Sequence, residues 1–196
     1  MQTLAAEFWN EKYLHQQTGW DLGEVSPPIK SYIDQIANKN SRILIPGAGH
    51  AYEAVYLLEN GFINVTVIDF AIMPLSNLKL KLKDINTAHY HLIHDDFFNH
   101  EGVYDLILEQ TFFCAIHPEL RKDYVKHTYQ LLAHKGKIAG LLFNSAFPFE
   151  GPPFGGSEDE YRKLFKLKFE IKLMEQAHNS IEPRKGSELF VILSKK

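Results

Sequence analysis

The sequence predicts one α/β domain, with a mostly parallel seven-stranded sheet, helices on both faces and an antiparallel C-terminal strand. A chain of 196 residues that is 45% hydrophobic can bury one sizeable core but is too short for two ordinary domains. Up to about residue 143, short aliphatic runs alternate with segments of helical periodicity, as in parallel βαβ units. The last two runs alternate apolar and polar residues, which is typical of an antiparallel pair. We therefore expect residues 1–196 to form a single domain.

The first segment, residues 1–25, is unusually aromatic. Trp9 and Tyr13 lie four residues apart, on one face of a short predicted helix, and Trp20 follows a Thr-Gly break. Two interpretations are open. The aromatic face packs on the domain, or the segment is a lid whose flat rings close over a ligand and attract a cation.

The stretch RILIPGAGHA, residues 42–51, predicts a strand, a glycine turn and then a helix. Gly47 and Gly49 allow backbone N–H groups and a helix N-terminus to approach a ligand closely. About twenty residues further on, a second strand over 65–68 ends at Asp69, whose carboxylate can accept hydrogen bonds from a ribose diol. This spacing predicts a site for a nucleoside.

The other elements follow from periodicity and turn residues. Ser26 is expected to cap a helix that begins at Pro27 and continues to Ile36. Residues 73–83 alternate leucine and lysine and fit either period, but a βαβ crossover favours a helix there. The remaining predictions are a helix over 52–59, strands over 89–94 and 104–108, a helix from 118 to about 132, strand 137–143, a short helix to 165, and strands 169–175 and 188–193.

Two further features lie between the fifth strand and the last two. Residues 144–156 (NSAFPFEGPPFGG) are rich in Pro, Gly and Phe, and predict a substrate-facing loop over the carboxyl edge of the sheet. Ser157 and Glu160 form a predicted capping box for the helix that follows.

Polar residues follow the third and fourth strands at the same edge. An acid or a backbone N–H after the third strand can address the amine and ring nitrogen of an adenine, and Phe97 offers the base an apolar contact. The alternative is that Asp95 and Asp96 only cap the next turn. Glu109 and Gln110 end the fourth strand beside them.

Composition excludes several classes of function. A net charge of -3 and a pI near 6.4 provide no basic field for nucleic acid. The single cysteine, Cys114, allows no intrachain disulfide and indicates a reducing compartment. No secretory leader and no membrane span is recognisable, so we expect a cytoplasmic protein without a membrane partner.

Three other groups have alternative interpretations. Because His89 and His91 share one strand face while His94 points to the other, we expect no metal site. Cys114, between Phe113 and Ala115, is expected to be a small buried residue rather than a reactive thiol. Arg184 and the lysine after it form either a solvated turn or a contact at the edge of the substrate site.

Several motifs together resemble a known family. They are FWNEKY with GWDLG, ILIPGAG, TVIDF, HDDFF, FFCAIHPELR, EGPPF and PRKGSE. The chain resembles S-adenosylmethionine (SAM)-dependent methyltransferases of the thiopurine S-methyltransferase superfamily, especially the halide and thiol methyltransferase branch. The resemblance covers nearly the whole chain, and FFCAI followed by PELR is its most specific part. It implies a Rossmann-like class I methyltransferase fold, with SAM as cofactor and S-adenosylhomocysteine as product.

The resemblance also implies roles for individual residues. It implies that SAM is bound by residues from the N-terminal segment and from four strand ends: Trp9, Tyr13, Trp20, Gly47, Gly49, Asp69, Asp96, Phe97 and Gln110. Gly47 is expected at the methionine part and Asp69 at the ribose, with adenine near Asp96 and Phe97. The methyl acceptor is expected against Trp9, Tyr13, Pro153 and Phe154.

Four positions depart from the family pattern. Tyr13 stands where a tryptophan is usual, and Ala51 replaces a further glycine. Gln110 replaces a tyrosine of the plant branch, and Phe154 replaces the tyrosine of its GPPY. The loss of this last phenol affects the acceptor pocket, so the acceptor stays open among thiols, bisulfide, halides and thiopurines.

Methyl transfer from a sulfonium is an in-line displacement, in which positioning and exclusion of water supply most of the acceleration. A thiolate or halide is already a good nucleophile, so no general base is expected. Two alternatives remain at this point: an NAD-dependent oxidoreductase, and a SAM-binding protein without turnover. The expected partner is a small-molecule acceptor, and the expected state is a monomer or weak homodimer.

Overall fold

A computed structural model describes residues 4–196 and shows a seven-stranded sheet in the order β3-β2-β1-β4-β5-β7-β6. Its strands are β1 (Ile43–Pro46), β2 (Val65–Asp69), β3 (Tyr90–His94), β4 (Tyr104–Gln110), β5 (Leu132–Phe143), β6 (Phe169–Gln176) and β7 (Glu188–Lys195). Strands β1 to β5 pair in parallel, and β7 runs antiparallel to both of its neighbours. The chain order reverses direction between β1 and β4, which is where open α/β sheets bind ligands.

Residues 4–196 form six α-helices, of which all but the first cover the sheet. They are α1 (Ala6–Leu14), α2 (Pro27–Ile33), α3 (Tyr52–Glu59), α4 (Ile72–Lys81), α5 (Arg121–Leu131) and α6 (Glu158–Phe165). Apolar residues of α2, α3 and α4 pack on one face of the sheet, and those of α5 and α6 pack on the other. Alternate strand residues supply the two cores: Ile43 and Ile45 face one, and Leu44 faces the other. The predicted fold class is confirmed, including the helix over the leucine–lysine segment.

Some boundaries differ from the prediction. The helix expected from Pro118 begins as a 3-10 turn over 118–120, and β5 begins at Leu132 because Leu132 already pairs with Tyr104 before an irregularity in register. Ser26 makes no side-chain cap; instead its backbone N–H donates to Glu53 Oε1 at 3.5 Å. Helix α2 ends at Ile33, and Ile36 packs against the core beyond the helix end.

Only half of the predicted capping box forms at α6. Ser157 Oγ accepts the Glu160 N–H at 3.3 Å, as expected. The Glu160 carboxylate does not reach back to the Ser157 N–H, because it pairs with Arg121 Nη1 at 2.7 Å. A long-range ion pair therefore replaces the local hydrogen bond.

The first three residues of the predicted lid segment lie outside the described residues. Within the rest, α1 packs beside α4, and Asn10 Oδ1 accepts the Met73 N–H at 3.1 Å. No helix among residues 4–196 has the length and hydropathy needed to cross a bilayer.

Candidate functional site

A cavity of about 1100 Å³ lies at the carboxyl ends of the parallel strands. It is lined by α1 and the segment after it, by the turns after β1, β2 and β4, and by the loop after β5. The cavity brings together ten of the residues predicted from sequence: Trp9, Tyr13, Trp20, Gly47, Gly49, Asp69, Asp96, Phe97, Gln110 and Pro153. Its size suits a cofactor together with a second ligand, since single-ligand pockets span about 300–1,000 Å³.

The glycine turn is required by both backbone and packing. Gly47 has φ +72°, and a Cβ there would lie 2.7 Å from Phe112 Cδ2. Gly49 has φ +54°, but its Cβ would meet only Tyr13 Oη, at 4.0 Å. Ala51 also adopts a left-handed conformation, with φ +54°, where the family has a glycine. The turn therefore keeps its glycine-type backbone despite this departure.

Asp69 fastens the end of β2 to this turn. Its Oδ2 accepts the Ala48 N–H and its Oδ1 accepts the Ala71 N–H, both at 2.8 Å. Burial raises the pKa of Asp69 to about 6, although these amide hydrogen bonds act in the opposite direction. At neutral pH the carboxyl is therefore mainly ionised, and each oxygen keeps lone-pair capacity for a hydroxyl donor.

The residues after β3 cap a turn and also line the cavity. Asp96 Oδ1 accepts the Phe98 N–H at 2.9 Å, so it caps the turn over 97–99 while it also lines the cavity. Phe97 is 4% exposed and packs against Phe112, with ring centroids 5.0 Å apart. The cap hydrogen bond therefore fixes this part of the cavity rim.

Gln110 carries a polar atom of the cavity wall that has no hydrogen-bond partner. Its Oε1 is buried and accepts no hydrogen bond from the described part of the chain. Because an unsatisfied buried acceptor costs free energy, this oxygen is available to a donor that enters the cavity.

Three aromatic rings from the N-terminal segment, those of Trp9, Tyr13 and Trp20, line the cavity together and form its aromatic roof. Trp20 makes edge-to-face contacts with Trp9 and Tyr13, at centroid distances of 5.5 and 5.8 Å. Burial, and secondarily the charge of Asp69, raises the pKa of Tyr13 above its usual range, so the phenol stays neutral. Neutral rings with accessible faces form a surface suited to a cation.

Phe154 does not reach the large cavity, in contrast to its predicted contact with the acceptor. Its backbone N–H donates to the Cys114 carbonyl at 2.6 Å, and its ring packs on His117 at 5.4 Å. There it lines a second cavity of about 560 Å³, formed by residues 144–147, 149, 154–157 and 160. Pro153, the residue before it, does line the large cavity.

The sequence left the role of Arg184 open and gave no sign of two buried carboxylates near the site, Glu53 and Glu188. Arg184 is 8% exposed, so the solvated-turn interpretation is wrong for it; Lys185 next to it is exposed. Arg184 donates to the Trp20 carbonyl at 2.8 Å and pairs with buried Glu188 at 3.2 Å. Glu53 is also buried and lines the cavity. No local signal marks these residues, because their partners are distant in sequence.

The histidines and Cys114 are the remaining groups for which the sequence left alternatives. No cluster of three His, Cys, Asp or Glu side chains suited to a metal occurs within residues 4–196. Cys114 is buried, and burial raises the pKa of its thiol well above the usual range. It is therefore a packing residue with an inert thiol.

Residues 4–194 match the model of the family described as thiopurine S-methyltransferase (TPMT). The chain belongs to the thiopurine S-methyltransferase family. Among curated relatives, it is 30% identical to a probable thiol methyltransferase 2 of Arabidopsis thaliana, over 92% of this chain and 81% of that protein. It is 25% identical to a thiopurine S-methyltransferase of Acinetobacter baylyi, over 96% and 98% of the two chains.

Solved structures agree on the fold of this family member. A Burkholderia thailandensis 1,6-didemethyltoxoflavin-N1-methyltransferase, solved with S-adenosylhomocysteine, superposes with a TM-score of 0.78 at 18% identity, covering 97% of this chain and 86% of that one. A TehB-like SAM-dependent methyltransferase of Corynebacterium glutamicum superposes with a TM-score of 0.69 at 15% identity, covering 97% and 98%. The predicted class I methyltransferase fold is thus confirmed, and the family assignment leaves the oxidoreductase alternative without support.

Proposed function

We propose that this protein transfers a methyl group from SAM to the sulfur of a small thiol. The observation that carries the proposal is one cavity in which Asp69, the glycine turn and an aromatic roof face the apolar loop residues Pro152 and Pro153. Membership of the thiopurine S-methyltransferase family and relatives named as thiol methyltransferases support the sulfur acceptor.

The described residues fit the cofactor. The buried Gln110 oxygen needs a donor, the glycine turn admits close approach, and the ionised Asp69 can accept from two hydroxyls. We propose that the cofactor is held by the residues predicted from sequence: Trp9, Tyr13, Trp20, Gly47, Gly49, Asp69, Asp96, Phe97 and Gln110. When bound, SAM supplies an electrophilic methyl group on a positively charged sulfur.

The chain itself binds and orients the cofactor and the acceptor, and it keeps water out of the cavity. Tyr13 and the two tryptophans present neutral ring surfaces to the cavity, where they favour a cation over bulk solvent. On the acceptor side, Trp9, Tyr13 and Pro153 offer apolar surface that strips water from a soft nucleophile. A thiolate already carries its reactive electron pair, so alignment is the main requirement.

The finer assignments are part of the same proposal. Residues 1–25 serve as a lid and residues 144–156 as the acceptor loop of a domain that spans 1–196. Phe154 belongs to this loop, but its ring lines the second cavity and not the large one. Halides as acceptors, a cytoplasmic location and a monomeric or weakly dimeric state stay predictions.

An acceptor panel tests the proposal. Calorimetry with S-adenosylhomocysteine and with NAD comes first, and we expect binding of the former only. Then SAM at a fixed concentration is offered with an aromatic thiol, bisulfide, iodide or a thiopurine, and release of S-adenosylhomocysteine is measured. We expect the thiols to give turnover. Absence of cofactor binding contradicts the proposal, and binding without turnover on the whole panel favours the non-catalytic alternative.

A further inference from the structure

Glu109 lies at the end of β4, directly before the cavity residue Gln110, and its side chain is almost completely buried. Only 1% of the residue is exposed. Alternation along the strand turns Glu109 away from the cavity that Gln110 lines. It is therefore not available to contact a ligand in that cavity.

Three protein donors satisfy this carboxyl. Oε1 accepts the N–H groups of Phe112 and Phe113, at 2.9 and 2.8 Å. Oε2 accepts the hydroxyl of buried Tyr124 on α5, at 2.8 Å. Oε1 thus holds the backbone after β4, and Oε2 is hydrogen-bonded to α5.

The backbone held by Oε1 is a strained turn. Thr111 has φ +63°, a left-handed conformation that is unfavourable for a β-branched residue. Such a conformation persists only where its surroundings impose it. The two amide hydrogen bonds to Glu109 fix the backbone immediately after Thr111 and thereby help to hold this conformation.

This turn borders the large cavity, the glycine turn and the loop after β5. Gln110, Thr111 and Phe112 all line the large cavity. The Phe112 ring occupies the space that a side chain at Gly47 would need. The carbonyl of Cys114, two residues after Phe112, accepts the N–H of Phe154 in the acceptor loop. A shift of the turn would therefore move cofactor-facing and acceptor-facing groups together.

The groups around the carboxyl are compatible with either of its protonation states. Its titratable neighbours are the Tyr124 hydroxyl and the Cys114 thiol, both neutral. Burial raises the pKa of Glu109 to about 7, so both forms are populated near neutrality. When protonated, Oε2 can donate to the Tyr124 oxygen while Oε1 still accepts from both amides.

We propose that Glu109 is a positioning residue whose Oε1, as an acceptor for two backbone N–H groups, holds the turn 111–113 and thereby Gln110 and Phe112 in the cofactor site. What this role requires is an acceptor oxygen at the correct reach, rather than a negative charge or a proton acceptor for the substrate. The inference rests on the proposed function, since it concerns the same cavity.

Three substitutions separate these requirements. Glu109→Gln keeps the acceptor and places its amide donor at Tyr124, as the protonated acid does. Glu109→Asp keeps the charge but shortens the reach by one carbon. Glu109→Leu removes the acceptor. Tyr124→Phe is the matched control, because it removes only the partner of Oε2.

The readouts are S-adenosylhomocysteine affinity by calorimetry, unfolding of the unliganded protein, and kcat and KM for an aromatic thiol between pH 6 and 8. We expect Glu109→Gln and Tyr124→Phe to bind within about threefold of wild type, with the glutamine variant keeping the wild-type pH profile. Glu109→Asp is expected to lose at least tenfold in affinity, and Glu109→Leu to lose more.

Each outcome decides between defined alternatives. If the glutamine variant is as weak as the leucine variant, the charge is needed and the proposal is wrong. If the aspartate variant binds like wild type, reach is immaterial and the proposal is equally wrong; this variant decides the matter should the leucine protein not fold. Failure of wild type to bind S-adenosylhomocysteine would refute the proposed function instead.

Discussion

The Asp69 carboxyl affects both the stability of the fold and ligand binding, and the two favour different protonation states. Burial removes hydration from the charged form, and the amides of Ala48 and Ala71 compensate only in part, so its pKa rises from 3.8 to about 6. Because the folded pKa lies above the unfolded one, its contribution to the stability of the unliganded protein is full below pH 3.8 and is lost as pH rises through 6. Binding of a diol requires the opposite, ionised form.

We therefore expect cofactor affinity to fall as pH decreases below 6. With one linked proton, the limit is about tenfold per pH unit. Asp69→Asn should weaken S-adenosylhomocysteine binding by about 10- to 100-fold at pH 7.5, as hydrogen bonds to a charged group contribute about 1.5–3 kcal/mol. Calorimetry between pH 5 and 8 measures both effects.

Asp95→Asn is the matched control, since Asp95 is an exposed acid at the same edge of the sheet. Its affinity should stay within about twofold of wild type, because it loses no group of the cavity wall. A wild-type affinity that is independent of pH from 5 to 8 would contradict the role assigned to Asp69.

At the scale of elements, the start of α5 clamps the second half of the loop after β5. Arg121 is 4% exposed, and its guanidinium donates to the Gly155 carbonyl and to Glu160, at 2.8 and 2.7 Å. The same group lies over the Phe113 ring, 4.9 Å from its centroid. This explains why arginine ends the FFCAIHPELR motif: its fork joins the helix, the loop and α6.

Arg121→Lys should loosen this loop without affecting cofactor binding, because Arg121 does not line the large cavity. A lysine cannot reproduce the fork, so we expect KM for the thiol acceptor to rise by about tenfold, in line with about 1–1.5 kcal/mol for one lost hydrogen bond. The affinity for S-adenosylhomocysteine should change less than twofold. Steady-state kinetics with varied acceptor and calorimetry separate the two quantities.

Arg162→Lys serves as the control, because the pair of Arg162 with Glu158 on α6 is exposed. It should leave KM for the acceptor unchanged. An equal increase of KM in both variants would show a general effect of destabilising α6 and would argue against the clamp.

At the scale of the whole molecule, the buried Arg184 joins the N-terminal segment to the C-terminal strands. Arg184 pairs with Glu188 at the start of β7 and also donates to the Trp20 carbonyl in the N-terminal segment. The aromatic roof thus depends on the C-terminal strands, although 164 residues separate Trp20 from Arg184.

Arg184→Gln should cost about 3–5 kcal/mol, since it leaves the Glu188 carboxylate buried without its cation. Because both tryptophans lie in the N-terminal segment, intrinsic fluorescence reports directly on the roof. We expect an altered emission spectrum of the folded protein and a lower urea concentration at the unfolding midpoint.

Two variants interpret that result. Lys185→Gln removes a neighbouring cation that pairs with exposed Glu182. It should change neither the emission spectrum nor the urea midpoint measurably. Arg184→Met combined with Glu188→Leu should regain part of the lost stability, as no buried charge stays unpaired, while the altered fluorescence persists because Trp20 still lacks its donor. Recovery of both signals would show that the roof does not depend on Arg184.

The amino-acid sequence by itself determined the order of the strands and helices, the glycine turn and the acid that ends β2. These are local properties: periodicity reports which face is buried, glycines mark left-handed backbone, and strand ends in a parallel sheet meet at one edge. Nine candidate cofactor residues could be proposed in this way and through the family motifs, and all of them line one cavity.

Only the tertiary structure decided where the remaining side chains lie. The direction of Phe154, the burial of Arg184, the open half of the capping box at Glu160 and the three donors around Glu109 all depend on contacts between segments distant in sequence. A residue type and its immediate neighbours do not specify such contacts. They are set when the loops, α5 and the C-terminal strands pack together around the sheet, because packing decides which donor meets which acceptor.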